Sequence, residues 1–228
     1  MTDGNSTYES TYFTDGPTYG KYRSQVDAEL SLGMWYAALV KHLRRRGIDL
    51  TTTLAPVVEL GTGYGGLLAL LRKMGSPCIG ADVSLFALGA IRRTHPSWPL
   101  VACDVSNMPF GSGTAGTLIA CEVLEHLDAP QQALTEMRRV MANGGLAIVT
   151  SPNPLGDILP TADSNLDPTH VSVQPPQQWE RRFRAAGFSE ARAVTCYQVP
   201  YLWRLSKAFS ILLPLPVVGP ATVLVARA

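Results

Sequence analysis

The stretch Val57-Val58-Glu59-Leu60-Gly61-Thr62-Gly63-Tyr64-Gly65-Gly66 begins as an apolar strand, passes an acidic residue and ends in a turn rich in glycine. Glycine lets the backbone approach a bound ligand without interference from a side chain. The run Gly-Leu-Leu-Ala-Leu-Leu, which starts at residue 66, predicts a helix directly after the turn. The stretch therefore predicts the binding loop of a nucleotide-type cofactor.

The glycine spacing alone leaves the kind of cofactor open. Gly61, Gly63 and Gly66 satisfy the G-x-G-x-x-G fingerprint of dinucleotide sites, and the alternative of a turn that only joins a strand to a helix also fits. Glu59 lies two residues before the first glycine, where a carboxylate can accept hydrogen bonds from a cationic amine. S-adenosylmethionine carries such an amine and a dinucleotide does not, so Glu59 favours the methyl donor.

Length and composition favour a single domain. The chain has 228 residues, of which 46% are hydrophobic, enough to bury one core. A formal net charge of +1 predicts no general attraction to nucleic acid or to an anionic membrane. The four cysteines form no C-x-x-C pair and the first fifteen residues contain no apolar segment, so we predict a reduced, cytoplasmic protein without a secretory signal. Charged residues and prolines within 202–218 argue against a membrane span, and the expected assembly is a monomer or a homodimer.

Strand and helix patterns alternate along most of the chain. Residues 1–24 are polar but rich in tyrosine, which predicts either a loose tail or an aromatic lid, and a helix is expected over 25–46. Alternation of this kind predicts an α/β fold with a Rossmann-like, doubly wound parallel sheet. Within the single domain 1–228 we expect a lid and helix in 1–50, a cofactor core in 55–150 and a substrate-side part in 151–228. The expected strands lie near 56–60, 77–82, 99–103, 115–121, 144–150, 191–199 and 222–226, with a further helix near 177–186 and a long loop over 151–173.

Acidic residues follow two further strands of the predicted sheet. Asp82 ends the second strand, where a carboxylate can accept both hydroxyls of an adenosine ribose. Asp104 follows the third strand, where it can accept from the adenine amino group while Val105 lies against the ring. Either acid could instead cap a helix. The occurrence of Glu59, Asp82 and Asp104 in this order favours a cofactor site.

These residues resemble the class I S-adenosylmethionine-dependent methyltransferases of the small-molecule type. The resemblance is tight over 55–150, although Ala115-Gly116 stands where the family usually has Phe-Asp. It implies a seven-stranded sheet whose last strand is reversed. It also implies which residues contact the cofactor. The ribose would bind Asp82 and Val83, the adenine would bind Asp104 and Val105, and Glu122 would add a contact after the fourth strand. The methionine part would bind Glu59, Gly61, Thr62, Gly63 and Gly65. The motifs that carry the resemblance are Glu59 to Gly65, Asp82, Asp104, Met108-Pro109-Phe110, Cys121 to Leu127 and Gly144-Gly145-Leu146.

The segment Glu122-Val123-Leu124-Glu125-His126 is the candidate for proton chemistry. On a helix Glu122 would share a face with Glu125 and His126, and His170 from the long loop would add a fourth ligand for a divalent cation such as Mg²⁺. The pattern resembles the metal sites of small-RNA 2'-O-methyltransferases and of ubiquinone-pathway O-methyltransferases. The alternative is that both acids favour the positive end of a helix while His126 packs beneath it. Without a metal, His126 or His170 would be the general base.

The predicted function is transfer of a methyl group from S-adenosylmethionine to a hydroxyl of a small organic acceptor. The expected acceptor is a natural product, a catechol or a sugar-like molecule. N- or C-methylation without a metal is an alternative, and a non-catalytic module that binds S-adenosylmethionine or S-adenosylhomocysteine is another. The apolar insert 201–218 is interpreted as a substrate-facing flap, with a dimer contact or a membrane-surface contact as the other interpretations.

Overall fold

The computed structural model describes residues 8, 10–16, 25–158, 167–198, 211–215 and 218–228. The helices are α1 (Ser10–Thr14), α2 (Gln25–Arg45), α3 (Gly66–Lys73), α4 (Leu85–Thr94), α5 (Pro130–Val140) and α6 (Pro176–Ala185), with 3-10 turns at Leu124–His126 and Pro154–Ile158. The strands are β1 (Val57–Leu60), β2 (Cys78–Asp82), β3 (Leu100–Ala102), β4 (Ala115–Cys121), β5 (Met141–Pro152), β6 (Glu190–Gln198), β7 (Leu212–Pro214) and β8 (Ala221–Arg227).

One sheet joins all the described strands in the order β3-β2-β1-β4-β5-β8-β6-β7. Strands β1 to β5 are parallel, whereas β8 is antiparallel to both β5 and β6. The predicted Rossmann-like sheet with a reversed last strand is confirmed. The expected count of seven strands is wrong for the described residues, because the short β7, which falls within the apolar insert, adds an eighth strand at the β6 edge.

Continuous apolar runs explain why the central strands are buried on both faces. All four residues of β1 and all seven of β4 are buried, as is typical of parallel strands covered by helices on both sides. Alternate residues of β1 belong to different core clusters: Val58 packs with side chains of α5 and α6, and Val57 packs with side chains of α2 and α3. At Gly116, a Cβ would collide with the backbone of Leu54, so a larger residue cannot replace this glycine without a backbone shift.

Four sequence-based expectations need correction or fall partly outside the described residues. The helix expected to carry residues 122–126 is only the 3-10 turn Leu124–His126. Strand β5 begins at Met141 rather than at 144, because the chain enters the sheet directly from α5. Residues 201–210 of the apolar insert lie outside the described residues, and so does the 159–166 part of the predicted long loop.

Helix α1 packs as an aromatic lid rather than projecting as a tail. Phe13 is only 5% exposed and lies with Tyr64, Ala87 and Ala90 in a small cluster. The Tyr64 hydroxyl donates to the Phe13 carbonyl at 3.4 Å. Since Tyr64 belongs to the glycine-rich turn, the lid is attached to the predicted cofactor loop.

None of the described helices combines the length and apolar character needed to cross a membrane.

Candidate active site

The glycine-rich loop between β1 and α3 has a backbone that favours glycine at three positions. The φ angles of Gly61, Gly63 and Gly65 are 69°, 50° and 82°, all in the left-handed region. The Gly61 and Thr62 N–H groups both donate to the Ala81 carbonyl, at 2.8 and 3.1 Å, which attaches the loop to β2. A Cβ at Gly61 would also collide with the Val123 side chain. The loop is therefore a fixed turn, attached to β2 on one side and packed against Val123 on the other.

Glu59 lies beneath this loop and is only 2% exposed. The Thr62 hydroxyl donates to its Oε2 at 3.0 Å. Burial raises the pKa of the Glu59 carboxyl to about 8; the Thr62 hydrogen bond opposes this shift and the charge of Asp82 adds to it. A cationic group nearby would favour the ionised carboxylate.

Asp82, at the carboxyl end of β2, is anchored through both of its carboxylate oxygens. Oδ2 accepts the Gly63 N–H at 2.7 Å and Oδ1 accepts the Ser84 N–H at 2.9 Å. Burial raises the pKa of Asp82, against the effect of these hydrogen bonds. The N-cap of α4 is Ser84, whose Oγ accepts the Ala87 N–H, so Asp82 is not the helix cap. Each Asp82 oxygen retains a lone pair for a further donor, and the half-buried Val83 lies beside it.

Asp104 and Val105 lie at the same edge of the sheet, just beyond β3. Ala102 pairs with Asp82 across the β2–β3 ladder, so the two acids follow neighbouring strand ends. Oδ1 of Asp104 accepts the Ser106 N–H at 2.7 Å, and the Asp104 carbonyl accepts the Asn107 N–H at 3.0 Å. These bonds form a tight turn, so Asp104 is not a helix cap. The Asp104 side chain is exposed, whereas Val105 is buried.

Glu122 follows β4 in a strained backbone conformation. Its φ of 55° places it, alone among the described non-glycine residues, in the left-handed region. The Thr150 hydroxyl donates to Glu122 Oε1 at 2.8 Å, and the Glu122 N–H donates to the Thr150 carbonyl at 3.0 Å. Burial raises the pKa of Glu122. Strand β5 therefore holds Glu122 in place by two hydrogen bonds.

Glu125 is a fully buried carboxyl group, with an exposure of 0%. Neither of its oxygens has a hydrogen-bond partner of good geometry among the described residues. Burial raises its pKa well above the usual value, and the neighbouring Glu122 acts in the same direction. Such a group is costly to bury unless it gains a proton or a cation.

Glu125, His126 and His170 converge on one point. One ligand atom from each residue lies within 4.8 Å of the others, and the two imidazole ring centroids are 4.7 Å apart. Glu122 is not among these three residues, and its place in the predicted four-ligand set stays a prediction. The prediction assumed one helix face over 122–126, but the chain turns through the positive φ of Glu122 and Thr150 binds its carboxylate.

His126 lies in a largely buried environment beneath the lid. Its Nδ1 is 2.9 Å from Thr169 Oγ1 and 3.2 Å from the Thr169 carbonyl oxygen. Burial lowers the pKa of His126 to about 4, and the neighbouring His170 adds to the shift. The rings of Tyr8 and Tyr12 stand edge-on to the imidazole, with centroid distances of 5.9 and 6.4 Å. Burial also raises the pKa of Tyr8 to about 12, with the charges of Asp167 and Glu125 acting in the same direction.

The segment that carries His170 is hydrogen-bonded to the 3-10 turn. The Ser172 N–H donates to the Glu125 carbonyl at 2.8 Å, and the His170 N–H donates to the Asp167 carbonyl at 3.0 Å. Sequence reasoning identified His170 but missed Thr150, Asp167 and Thr169. The Asp-Pro-Thr-His run could have indicated Asp167 and Thr169, since Asp and Thr before a histidine favour local side-chain turns. Nothing in the sequence indicates the pairing of Thr150 with Glu122.

Comparison with known proteins shows which class of protein this chain is similar to. Residues 58–149 match the family described as a methyltransferase domain. A probable S-adenosylmethionine-dependent methyltransferase of Mycolicibacterium smegmatis is 25% identical over 132 residues, which cover 58% of this chain and 51% of that protein. Ajmaline N-methyltransferase of Rauvolfia serpentina is 28% identical over 168 residues, 71% of this chain and 51% of that protein. The crystal structure of a SAM-dependent methyltransferase from Archaeoglobus fulgidus superimposes with a TM-score of 0.64 at 16% identity, covering 85% of this chain and 94% of the other.

The sheet order and the reversed β8 belong to the fold that this chain shares with the S-adenosylmethionine-dependent methyltransferase from Archaeoglobus fulgidus. The family match covers residues 58–149, which is less than half of the chain. The chain spans about half the length of the curated relatives it matches.

Proposed function

We propose that this protein transfers a methyl group from S-adenosylmethionine to a hydroxyl oxygen of a small organic acceptor. The observation that carries the proposal is the convergence of Glu125, His126 and His170 at the carboxyl edge of the sheet, just beyond β4. In a doubly wound sheet this edge is the ligand crevice. Groups that can hold or remove a hydroxyl proton therefore lie beside the strands that would bind the methyl donor.

The residues of the cofactor crevice fit S-adenosylmethionine. The Gly61–Gly65 loop has no room for a Cβ at its first position, and Asp82 is fixed by two backbone donors with lone pairs remaining. We assign the methionine part to the loop with Glu59, the ribose to Asp82 with Val83, and the adenine to Asp104 with Val105. Glu122 borders the same crevice after β4. When bound, the cofactor supplies an electrophilic methyl group on a sulfonium.

His126 and His170 are the groups assigned to the acceptor. An in-line transfer needs an aligned oxygen whose proton is removed, and a neutral imidazole nitrogen can accept that proton. The Tyr8 and Tyr12 rings beside His126 supply flat apolar surface, which favours an organic acceptor with a planar part. The net charge of +1 gives no support for a polyanionic acceptor such as RNA.

A divalent cation held by Glu125, His126 and His170 is part of the proposal. A cation there would compensate the buried Glu125 carboxylate, and it would supply Lewis acidity toward the acceptor oxygen. Two imidazoles and one carboxylate suit Mn²⁺, Fe²⁺, Co²⁺ or Zn²⁺ better than Mg²⁺, which prefers oxygen ligands only.

Chelation separates the metal-assisted reaction from a metal-free one. The purified chain is treated with EDTA, dialysed and assayed with S-adenosylmethionine and a panel of catechols, phenols and sugars, with product mass spectrometry. We expect O-methylated product that disappears after chelation and returns with Mn²⁺ or Zn²⁺. Unchanged turnover after chelation would exclude the metal-assisted mechanism, and His126 or His170 would then be the general base. Tight S-adenosylhomocysteine binding with no product from any acceptor would instead support a non-catalytic binding module.

Site variants test the same assignment without relying on the choice of acceptor. Glu125→Gln keeps the side-chain shape but removes the charge, so Zn²⁺ should raise the melting temperature of the wild type and not of this variant. His126→Ala should lose the Zn²⁺ response in the same way, and His95→Ala is its matched control, because His95 stacks on Trp98 at a ring-centroid distance of 3.7 Å, at the end of α4. Equal metal responses in the Glu125 variant and the wild type would contradict the site.

Methylation at nitrogen or carbon is the competing activity. The similarity to a protein named ajmaline N-methyltransferase gives a reason to include alkaloid amines in the acceptor panel. A product methylated only on nitrogen, with turnover unaffected by EDTA, would replace the O-methyltransferase proposal.

A further inference from the structure

We propose that Asp167 and Thr169 act as positioning residues that hold His126 as its Nδ1–H tautomer and so leave the Nε2 lone pair for the reaction. The inference rests on the proposed function, in which His126 either binds the cation or accepts the acceptor proton. Both roles need the same tautomer of His126, because only one nitrogen of a neutral imidazole has a lone pair in the ring plane, and that nitrogen must face the cation or the acceptor.

The Thr169 hydroxyl donates to Asp167. Its Oγ1 is 2.6 Å from Asp167 Oδ1, a short distance typical of a hydroxyl bound to a carboxylate. The Thr169 N–H donates to the same Oδ1 at 2.9 Å, which marks that oxygen as the acceptor. The single hydroxyl proton of Thr169 is therefore donated to the Asp167 carboxylate.

The second contact of Thr169 Oγ1 then determines which ring nitrogen of His126 carries the hydrogen. Oγ1 lies 2.9 Å from His126 Nδ1 and has only lone pairs left to offer, so Nδ1 must carry the hydrogen. The Thr169 carbonyl, at 3.2 Å from the same nitrogen, is also an acceptor and requires the same tautomer. Two acceptors at Nδ1 place the lone pair of the neutral ring on Nε2.

This arrangement matches what a metal-binding or proton-accepting histidine needs. Outer partners that accept from one ring nitrogen fix the ring orientation and raise the basicity of the other nitrogen. Asp167 is only 6% exposed, so its hydrogen bond to Thr169 is protected from competing water. The chain Asp167–Thr169–His126 runs from the loop after β5 to the turn after β4, and it connects the two segments that supply the convergent ligands.

Thr169 is the better position to test than Asp167. The Asp167 carbonyl accepts the His170 N–H, and its carboxylate accepts two groups of Thr169, so a change there alters several contacts. Thr169→Val keeps the side-chain volume and the carbonyl but removes the hydroxyl. Thr169→Ser restores the hydroxyl. Thr135→Val is the control for loss of a hydroxyl, because the exposed Thr135 donates to the Gln131 carbonyl within α5.

The experiment is nitrogen NMR of the full chain with labelled histidine, the His126 signals being assigned by their loss in His126→Gln. We expect the wild type to show a protonated Nδ1 and an unprotonated Nε2 at His126. In Thr169→Val only the backbone carbonyl still accepts from Nδ1, so part of the His126 population should take the Nε2–H form, and Zn²⁺ affinity, measured by calorimetry, should weaken roughly 10- to 100-fold. Thr169→Ser should restore both.

Two outcomes would overturn the inference: a wild-type His126 that carries its proton on Nε2, or a Thr169→Val protein whose tautomer populations equal those of the wild type. The NMR readout needs no turnover, so it separates this inference from the proposed function. A chain with the Nδ1–H tautomer that methylates no acceptor would contradict the proposed function and still support the hydrogen-bond chain.

Discussion

Glu59 combines a buried carboxyl group with a place beneath the cofactor loop. Its pKa is raised to about 8 by burial, from an ordinary value of 4.5. In the unfolded chain the carboxyl ionises above about pH 4.5, whereas in the folded ligand-free chain it stays protonated until about pH 8. The contribution of Glu59 to stability is therefore greatest at low pH, decreases between about pH 4.5 and 8, and is constant above that range.

Glu59→Gln tests this pH dependence. The amide cannot ionise, so the free energy of unfolding of the ligand-free variant should fall less steeply between about pH 5 and 8 than that of the wild type. Thermal unfolding at half-unit pH steps measures the difference, with the exposed Glu190→Gln as control. Parallel curves for wild type and Glu59→Gln would show that Glu59 ionises normally. The same variant should bind S-adenosylhomocysteine more weakly if the carboxylate accepts from the amine.

At the scale of the elements, the cofactor loop and the turn that carries Glu125 are in direct contact. Gly61 has a φ of 69°, and a Cβ there would collide with Val123, which immediately precedes the 3-10 turn. We therefore expect a side chain added at Gly61 to displace Val123 and, with it, the turn.

Gly61→Ala should therefore lose more stability than its backbone conformation alone explains. The left-handed φ costs roughly 1–3 kcal/mol for a non-glycine residue, and the collision adds to it. Gly75→Ala is the matched control, because Gly75 has a φ of 83° and a Cβ added there would meet nothing within 4 Å among the described residues. Urea denaturation of both variants gives the difference, and the double variant Gly61→Ala/Val123→Ala should recover part of it. Equal losses at the two glycines would contradict the contact.

The lid helix α1 should affect cofactor binding more than global stability. Phe13 packs on Tyr64 with ring centroids 5.1 Å apart, yet α1 has only five residues and so contributes little to the core. Phe13→Ala should weaken S-adenosylhomocysteine binding by about 10-fold, which corresponds to ~1.4 kcal/mol, while the melting temperature changes little. Tyr64→Phe keeps the ring contact and removes the hydrogen bond to the Phe13 carbonyl, so a smaller loss is expected. Calorimetric titration of both variants checks the order, and unaltered affinity in Phe13→Ala would separate the lid from the cofactor site.

The sequence predicts the elements whose signals are local. The apolar run of β1 and the glycines after it specify a strand, a turn and a helix in immediate succession, and the structure has them there. The surroundings of the candidate ligands were only partly predictable, because Glu122 combines a positive φ with a hydrogen bond to Thr150, a residue of another strand. The pairing of His126 with Thr169 likewise depends on how the loop after β5 folds back, and no periodicity in the sequence encodes that.

At the scale of the whole molecule, the stability of the sheet centre and of the lid should differ. Strands β1, β4 and β5 lie in the middle of the sheet and are largely buried, whereas α1 is a short surface helix. Hydrogen exchange should show the central strands opening only with global unfolding and α1 exchanging much faster. Added S-adenosylhomocysteine should slow exchange in α1 and in the 61–66 loop selectively. Equal slowing throughout the chain would mean that the ligand acts only on global unfolding.

The position of β8 also has a consequence for the order in which the chain can fold. β8 lies between β5 and β6, so within the sheet nothing joins β6 and β7 to the other strands until residues 221–227 have been synthesised. During translation, one edge of β5 therefore stays unpaired while residues 153–220 are being synthesised. The edge of β6 that will pair with β8 is unpaired as well until β8 has been made. Unpaired edges of this kind are where nascent chains aggregate or bind chaperones. We expect a ribosome-bound chain that ends before residue 221 to be protease-sensitive beyond β5, and resistance to appear when the last strand emerges.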